Sequence, residues 1–225
     1  MKIVPPSFEI MSLNNGSEIL RQIESAGRVC YKSEDKITDS SAEPFVQRIL
    51  NSGHLSVIEH AYATVRIICD RGVTHEIVRH RLASYSQEST RYANYSQDKF
   101  GNEITVIDPC FWEKSDPQYK LWHEAMLFAE KSYLTLVAQG ATAQQARSVL
   151  PNSLKTEIVV SCNLREWRHI FGLRCASGAH PQMREIMLPL LAEMSTKVPA
   201  LFDDLFEKFE TAIASKAWQK KISDQ

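Results

Sequence analysis

The chain has 225 residues, 44% of them hydrophobic and 24% charged, with a formal net charge of −1. That is enough polypeptide to bury a core without staples, so a single globular domain over residues 1–225 is expected. So small a net charge gives no overall field for holding a nucleic-acid backbone, and no apolar run approaches the ~18 residues of a membrane span. The opening MKIVPPSFEI has no apolar signal core. Five cysteines, Cys30, Cys69, Cys110, Cys162 and Cys175, are odd in number and form no CxxC pair. This argues against a disulfide framework or a zinc site and for reduced thiols in a cytoplasmic protein.

In chain order, SEILRQIESAGRVCYKS predicts a helix capped by Ser17, and SSAEPFVQRILNSG from Ser40 predicts a second that closes at Gly53. AYATVRIIC alternates and is rich in β-branched residues, which predicts a strand from Tyr62 to Cys69. Gly72 to Leu82 has helical spacing, with His75 and Arg79 on one face and Glu76 paired with His80. Ser84 to Phe100 is polar, aromatic-studded and aperiodic, a long loop of the kind that carries function. A short strand from Glu103 follows, then a helix opened by Asp116-Pro117 and stopped by Gly140. Its Trp122, Met126, Ala129, Tyr133 and Val137 form a core stripe. Thr142 and Gln145 make a capping box for a short helix ending at Leu150, and a strand is expected from Leu154 to Cys162. Asn163 and Glu166 frame another helix start, with Arg165, Arg168 and His169 inside one turn and Arg174 beyond. After a break at Gly178, helices run from Pro181, with a kink at Pro189, and from Pro199 to the end of the chain.

The segment RHRLASYSQESTRY, residues 79–92, sets Arg79, Arg81 and Arg91 beside short hydroxyl and amide groups. Guanidinium groups keep their protons, so packing them together calls for an anion. Phosphate matches their forked donors, and Ser86, Ser89 and Thr90 can complete the shell. The other reading is a solvated basic face neutralised by Glu76 and Glu88. Arg147, Arg165 and Arg174, with Asn163 and His169, supply a second cationic set, and the two are expected to converge. A metal site among His54, His60, His75 and His80 is weakened because HEIVRH misses the HExxH spacing by one residue. Ser89 with His80 as base lacks a GxSxG elbow, and no GxGxxG marks a Rossmann unit.

These residues resemble the flavin-dependent thymidylate synthases, whose hallmark is RHR, seven residues, then Ser: here Arg79, His80, Arg81, LASYSQE and Ser89. GRVCYKS, GHLSVIEH, ARSVLP, NLREWRHIFGLR and AHPQMREI follow the family's order. The chain departs from the common pattern at Ser86-Gln87-Glu88, at His75-Glu76, and at His169, where Asn is frequent. Pro109-Cys110 invites comparison with the nucleophile of conventional thymidylate synthases, but Phe111 follows instead of His, so a structural thiol is expected.

The resemblance implies an α+β fold, an antiparallel sheet with surrounding helices, one domain per subunit, and a homotetramer with shared sites. It implies reductive methylation of dUMP to dTMP, with 5,10-methylenetetrahydrofolate as carbon donor and NADPH-reduced FAD as hydride source. Ser56, Arg79, His80, Arg81, Gln87, Asn163, Arg165 and His169 would hold FAD. Glu76, Arg79, Gln87, Glu88, Ser89, Thr90, Arg91, Arg147 and Arg174 would hold dUMP, with Arg174 at the uracil edge as the catalytic group. His54, in a block with Glu59, would position folate or flavin, and no metal, nucleic acid or membrane is implied. The rival readings are a nucleotide- or RNA-binding module without catalysis, marked by steep salt dependence, and a metal-dependent nucleotide hydrolase.

Overall fold

The structure is a computed structural model that describes residues 1–216. It opens with two strands that the sequence pattern did not announce, β1 (Lys2–Val4) and β2 (Ser7–Leu13). In β2 a register shift between Ile10 and Ser12 breaks the alternation, so Phe8, Ile10 and Leu13 pack inward at uneven spacing. The helix α1 (Gly16–Val29) follows, and its cap is Asn15, whose side chain accepts the Ser17 N–H at 3.0 Å. Ser17, the expected cap, lies inside the first turn. A Cβ at Gly16 would stand 2.6 Å from the Lys197 carbonyl oxygen, so the approach to that chain segment requires glycine. Gly27 plays the same part against α2 (Ala42–Asn51), where a Cβ would meet the Phe45 ring at 2.6 Å.

After a 3₁₀ turn over Leu55–His60, β3 (Tyr62–Asp70) alternates as expected, with Ala63, Val65, Ile67 and Cys69 buried. The helix α3 covers only Arg71–Ile77, not the predicted stretch to Leu82. Asp70 caps it by accepting the Val73 N–H at 2.7 Å. Its early end has a physical cause, because the Tyr85 hydroxyl donates to the carbonyls of Ile77 (2.9 Å) and His80 (2.5 Å) and so holds a turn in place of further helix. Tyr85 belongs to β4 (Ala83–Gln87), a strand inside the segment expected to be a loop.

β5 (Thr105–Ile107) pairs in parallel with β1. α4 (Pro117–Ala138) begins at the expected proline, and α5 (Ala143–Ala146) leads into a 3₁₀ turn over Arg147–Val149. β6 (Lys155–Asn163), α6 (Leu164–Arg174), α7 (Pro181–Lys197) and α8 (Pro199–Ala214) complete the described chain. α7 runs through Pro189 as one helix, and any continuation of α8 beyond residue 216 lies outside the described residues.

The main sheet is antiparallel in the order β2-β3-β6-β4, with β3 and β6 paired from Tyr62↔Asn163 to Asp70↔Lys155. One face, Val65, Ile67, Ile158 and Val160, packs under α1, α2, α6, α7 and α8 around Trp167, Phe171 and Phe202. A second apolar cluster, with Tyr95, Val106, Met126 and Tyr133, joins α4 to the small sheet. This is the expected mixture of antiparallel sheet and surrounding helices. No helix among the described residues is long and apolar enough to cross a membrane.

Candidate active site

β6 runs directly into α6. Asn163 caps the helix by accepting the Glu166 N–H at 2.8 Å, the start expected from the sequence. The first turn of α6 then faces the turn between α3 and β4. Arg174, at the far end of α6, donates from Nε to His80 Nε2 at 3.0 Å, from Nη1 to Glu76 Oε2 at 2.7 Å and from Nη2 to the Glu76 carbonyl at 3.1 Å. Glu76 and His80 were expected to pair along one helix. Because α3 stops at Ile77, they are joined through Arg174 instead.

His80 is 5% exposed, and its Nδ1 lies 3.4 Å from Glu166 Oε1. Burial, then the charge of Arg174, then His169 lower its pKa from 6.5 to about 4, so the ring is neutral at physiological pH. The His169 ring meets it edge-on at 5.7 Å. Among the described residues, His80, Glu166 and His169 bring three ligand-type atoms within 4.8 Å of one another. Accepting from Arg174 at Nε2 calls for the ring proton on Nδ1, on the side that faces Glu166.

Beside this group opens a cleft of about 520 Å³, with Leu55, Leu82 and Leu205 as apolar walls and Glu59, Asn163, Arg165, Glu166, Arg168 and His169 as polar lining. Arg165 ion-pairs with Glu59 at 2.5 Å. Arg168 is committed elsewhere, forked onto Asp204 at 2.7 and 2.6 Å, which ties α6 to α8. Ser56 and His54 are exposed on the neighbouring 3₁₀ segment, and Arg79 and Arg81 are exposed on the α3–β4 turn. A cavity of about 540 Å³ against α1 and α2, lined by Ser17, Arg21 and Glu43, contains no candidate residue.

The other candidates gather past the far end of β4, whose four residue steps span about 13 Å. Arg147 Nη1 lies 3.5 Å from Thr90 Oγ1, Ser89 Oγ accepts the Arg91 N–H at 3.3 Å, and Arg91 Nε donates to Gln144 at 2.8 Å. Glu88 binds Lys155 (3.2 Å) and the Tyr95 hydroxyl (3.0 Å). Gln87 donates to Thr74 (3.0 Å) and Thr156 (3.3 Å), beneath the sheet. One chain therefore holds these residues in two groups, one at each end of β4, rather than in a single arginine cluster. Ser89 and His80, the possible nucleophile and base, stand at opposite ends of β4. The Cys110 thiol is pushed up to about 12, first by burial and then by Glu185, which makes it a poor nucleophile.

Sequence reading passed over Glu166 except as a cap and passed over Tyr85 altogether. The signal for Glu166 was a carboxylate on the stripe shared by Ile170 and Arg174. Tyr85→Phe removes the only side-chain donor that reaches the two turn carbonyls among the described residues. It is expected to cost about 1–2 kcal/mol, read as a drop of about 3–6 °C in Tm; an unchanged melting curve would contradict this.

The chain matches the family described as thymidylate synthase complementing protein over residues 13–200. It is 36% identical over 186 residues to the flavin-dependent thymidylate synthase of Geobacter sulfurreducens, covering 80% of this chain and 78% of that one. To the flavin-dependent thymidylate synthase of Corynebacterium glutamicum it is 35% identical over 219 residues, covering 89% and 84%. The crystal structure of a UMP/dUMP methylase, PolB, from Streptomyces cacaoi bound with 5-Br dUMP superposes with a TM-score of 0.75 at 20% identity, over 93% of this chain and 98% of that one. That likeness bears on fold alone. By sequence, over most of its length, the chain belongs to the thymidylate synthase complementing protein family, that of the flavin-dependent thymidylate synthases.

Proposed function

We propose that the protein reductively methylates dUMP to dTMP, with 5,10-methylenetetrahydrofolate as carbon donor, NADPH as reductant and FAD as cofactor. The observation that carries this reading is Arg174, a guanidinium fixed between the Glu76 carboxylate and the neutral His80 ring, which itself lies against Glu166 and His169 of an apolar-walled cleft. A group so held is preorganised to stabilise charge that develops only in the transition state. On the uracil edge it would favour loss of the imide proton and raise electron density at carbon 5, the atom that takes the new carbon.

The cleft suits a flavin by the chemistry of its donors. Three leucines offer an apolar wall for a planar ring, while Asn163, Arg165 and His169, with His80, Arg79, Arg81 and Ser56 nearby in sequence, offer donors to its polar edge and phosphates. Bound there, FAD supplies the hydride transfer. Ser89, Thr90, Arg91 and Arg147 are assigned to the dUMP phosphate, where short hydroxyls and forked cations match its oxygens. Glu88 and Gln87 line the same end of β4, and Gln87 must release Thr74 or Thr156 to reach a ligand. His54, beside the wall residue Leu55, is assigned to positioning folate or flavin. Two partial sites on one chain fit a homotetramer whose subunits complete each other's sites, and the unpaired thiols fit the cytoplasm.

An absorbance spectrum of the purified protein tests the reading. Flavin bands that bleach when NADPH is added under anaerobic conditions, with dTMP formed on adding dUMP and methylenetetrahydrofolate, are expected. A colourless protein that cannot take up FAD overturns it.

A further inference from the structure

Glu166 is a carboxylate only 7% exposed on a helix whose cap already satisfies its backbone N–H. A buried carboxylate is costly without a polar partner, and among the described residues His80 Nδ1 faces its Oε1 at 3.4 Å. On the opposite edge of the same ring, Nε2 accepts the Nε–H of Arg174 at 3.0 Å. A neutral imidazole carries one proton, so it can accept at Nε2 only when that proton sits on Nδ1. The other tautomer would set an N–H against the guanidinium N–H, and Arg174 would keep only its contacts to Glu76.

We infer that Glu166 is a positioning residue for Arg174: by accepting the proton on His80 Nδ1 it fixes the tautomer whose Nε2 lone pair holds the guanidinium. The inference rests on the role proposed above for Arg174 but concerns a residue of the same cleft to which that proposal gives no role. Among the described residues, the groups around the ring come from three elements. α6 supplies Glu166, His169 and Arg174, α3 supplies Glu76 through Arg174, and the Tyr85 hydroxyl from β4 holds the His80 carbonyl. At neutral pH the ring carries no charge, so what remains to be set is which nitrogen bears the proton. Partners on the far nitrogen of a working imidazole commonly set its tautomer and orientation.

The test uses the full chain with nitrogen-15-labelled histidine and arginine. Wild type should show His80 as the Nδ1–H tautomer and a hydrogen-bonded Arg174 Nε–H. Glu166→Gln keeps an oxygen acceptor and should preserve both signals, with kcat within about threefold. Glu166→Met, similar in volume and without an acceptor of comparable strength, should shift the tautomer toward Nε2–H, release the Arg174 signal and lower kcat about tenfold to hundredfold, the usual scale for such outer partners. A Met variant that keeps the Nδ1–H signal overturns the inference. So does one that loses it with kcat unchanged, or a Gln variant as impaired as Met. Should wild type make no dTMP while tautomer and Arg174 signal still follow residue 166, the proposed reaction falls and the coupling stands. Should Met not fold, Glu166→Ala is read the same way, and Gln alone decides whether an acceptor suffices.

Discussion

Arg174→Ala is expected to lower the turnover of dUMP methylation by a hundredfold or more. Removing one preorganised donor to developing negative charge costs roughly 3–4 kcal/mol of barrier, and here the geometry shows why so little would compensate. The guanidinium is held by three hydrogen bonds, to the Glu76 carboxylate, the Glu76 carbonyl and His80 Nε2, so its position is fixed before any substrate binds. Alanine removes the charge and leaves the Glu76 carboxylate and the His80 lone pair without their partner. Arg174→Lys keeps a positive charge but not the fork, and should recover only part of the loss. A single-turnover measurement with flavin bound separates this effect from cofactor loss. Near wild-type turnover in Arg174→Ala would remove the residue from the reaction.

The same variant carries a pH signature with a definite sign. His80 is held near 4 in the fold against an ordinary 6.5, chiefly by burial and next by Arg174. Because the unfolded chain takes up this proton first, stability falls as pH drops from about 6.5 towards 4 and is unaffected by this group above that window. Without Arg174 the folded pKa moves back up, so the window narrows and the acid loss becomes smaller. Thermal melts at pH 5 and pH 7 would show the difference between the two pH values shrinking in Arg174→Ala.

Local pattern carried much of this architecture. The alternation of Ala63, Val65, Ile67 and Cys69, the Asn163 cap and the Asp116-Pro117 helix start all reflect forces that act within a few residues. What escaped was set at longer range. In ASYSQ, which from Ser84 on was expected to be loop, the strand alternates with Ala83, Tyr85 and Gln87 as its inward side chains, and only pairing with β6 makes a strand of so polar a run. α3 ends where Tyr85, eight residues on, takes the Ile77 carbonyl. The site shows the same division. Hydroxyls and arginines signalled an anion by composition, but the partition of those arginines into two ends of β4 follows from sheet register, which no local pattern encodes. Glu166 was masked because its place at a helix start already explained it.

Arg147→Ala is expected to raise the KM for dUMP about tenfold to hundredfold while leaving kcat within a fewfold. A charge-assisted hydrogen bond to phosphate contributes about 1.5–3 kcal/mol, and the phosphate is remote from the carbon that is methylated. A contact of equal strength in ground and transition states shows in KM and not in kcat. The arrangement near Arg147 supports this division of labour. Its Nη1 touches Thr90 at the limit of hydrogen bonding, 3.5 Å, and no ion pair within the described residues competes for the guanidinium. By contrast Arg174 is already held by Glu76 and His80 through three of its five N–H groups, which suits a group that must not move. Deoxyuridine, which lacks the phosphate, supplies the control: it should bind wild type and Arg147→Ala equally weakly, whereas dUMP should distinguish them. Rising salt should weaken dUMP binding to wild type more than to the variant, because one cation fewer faces the anion. A fall in kcat with unchanged KM, or an equal loss for deoxyuridine, would move Arg147 away from the phosphate.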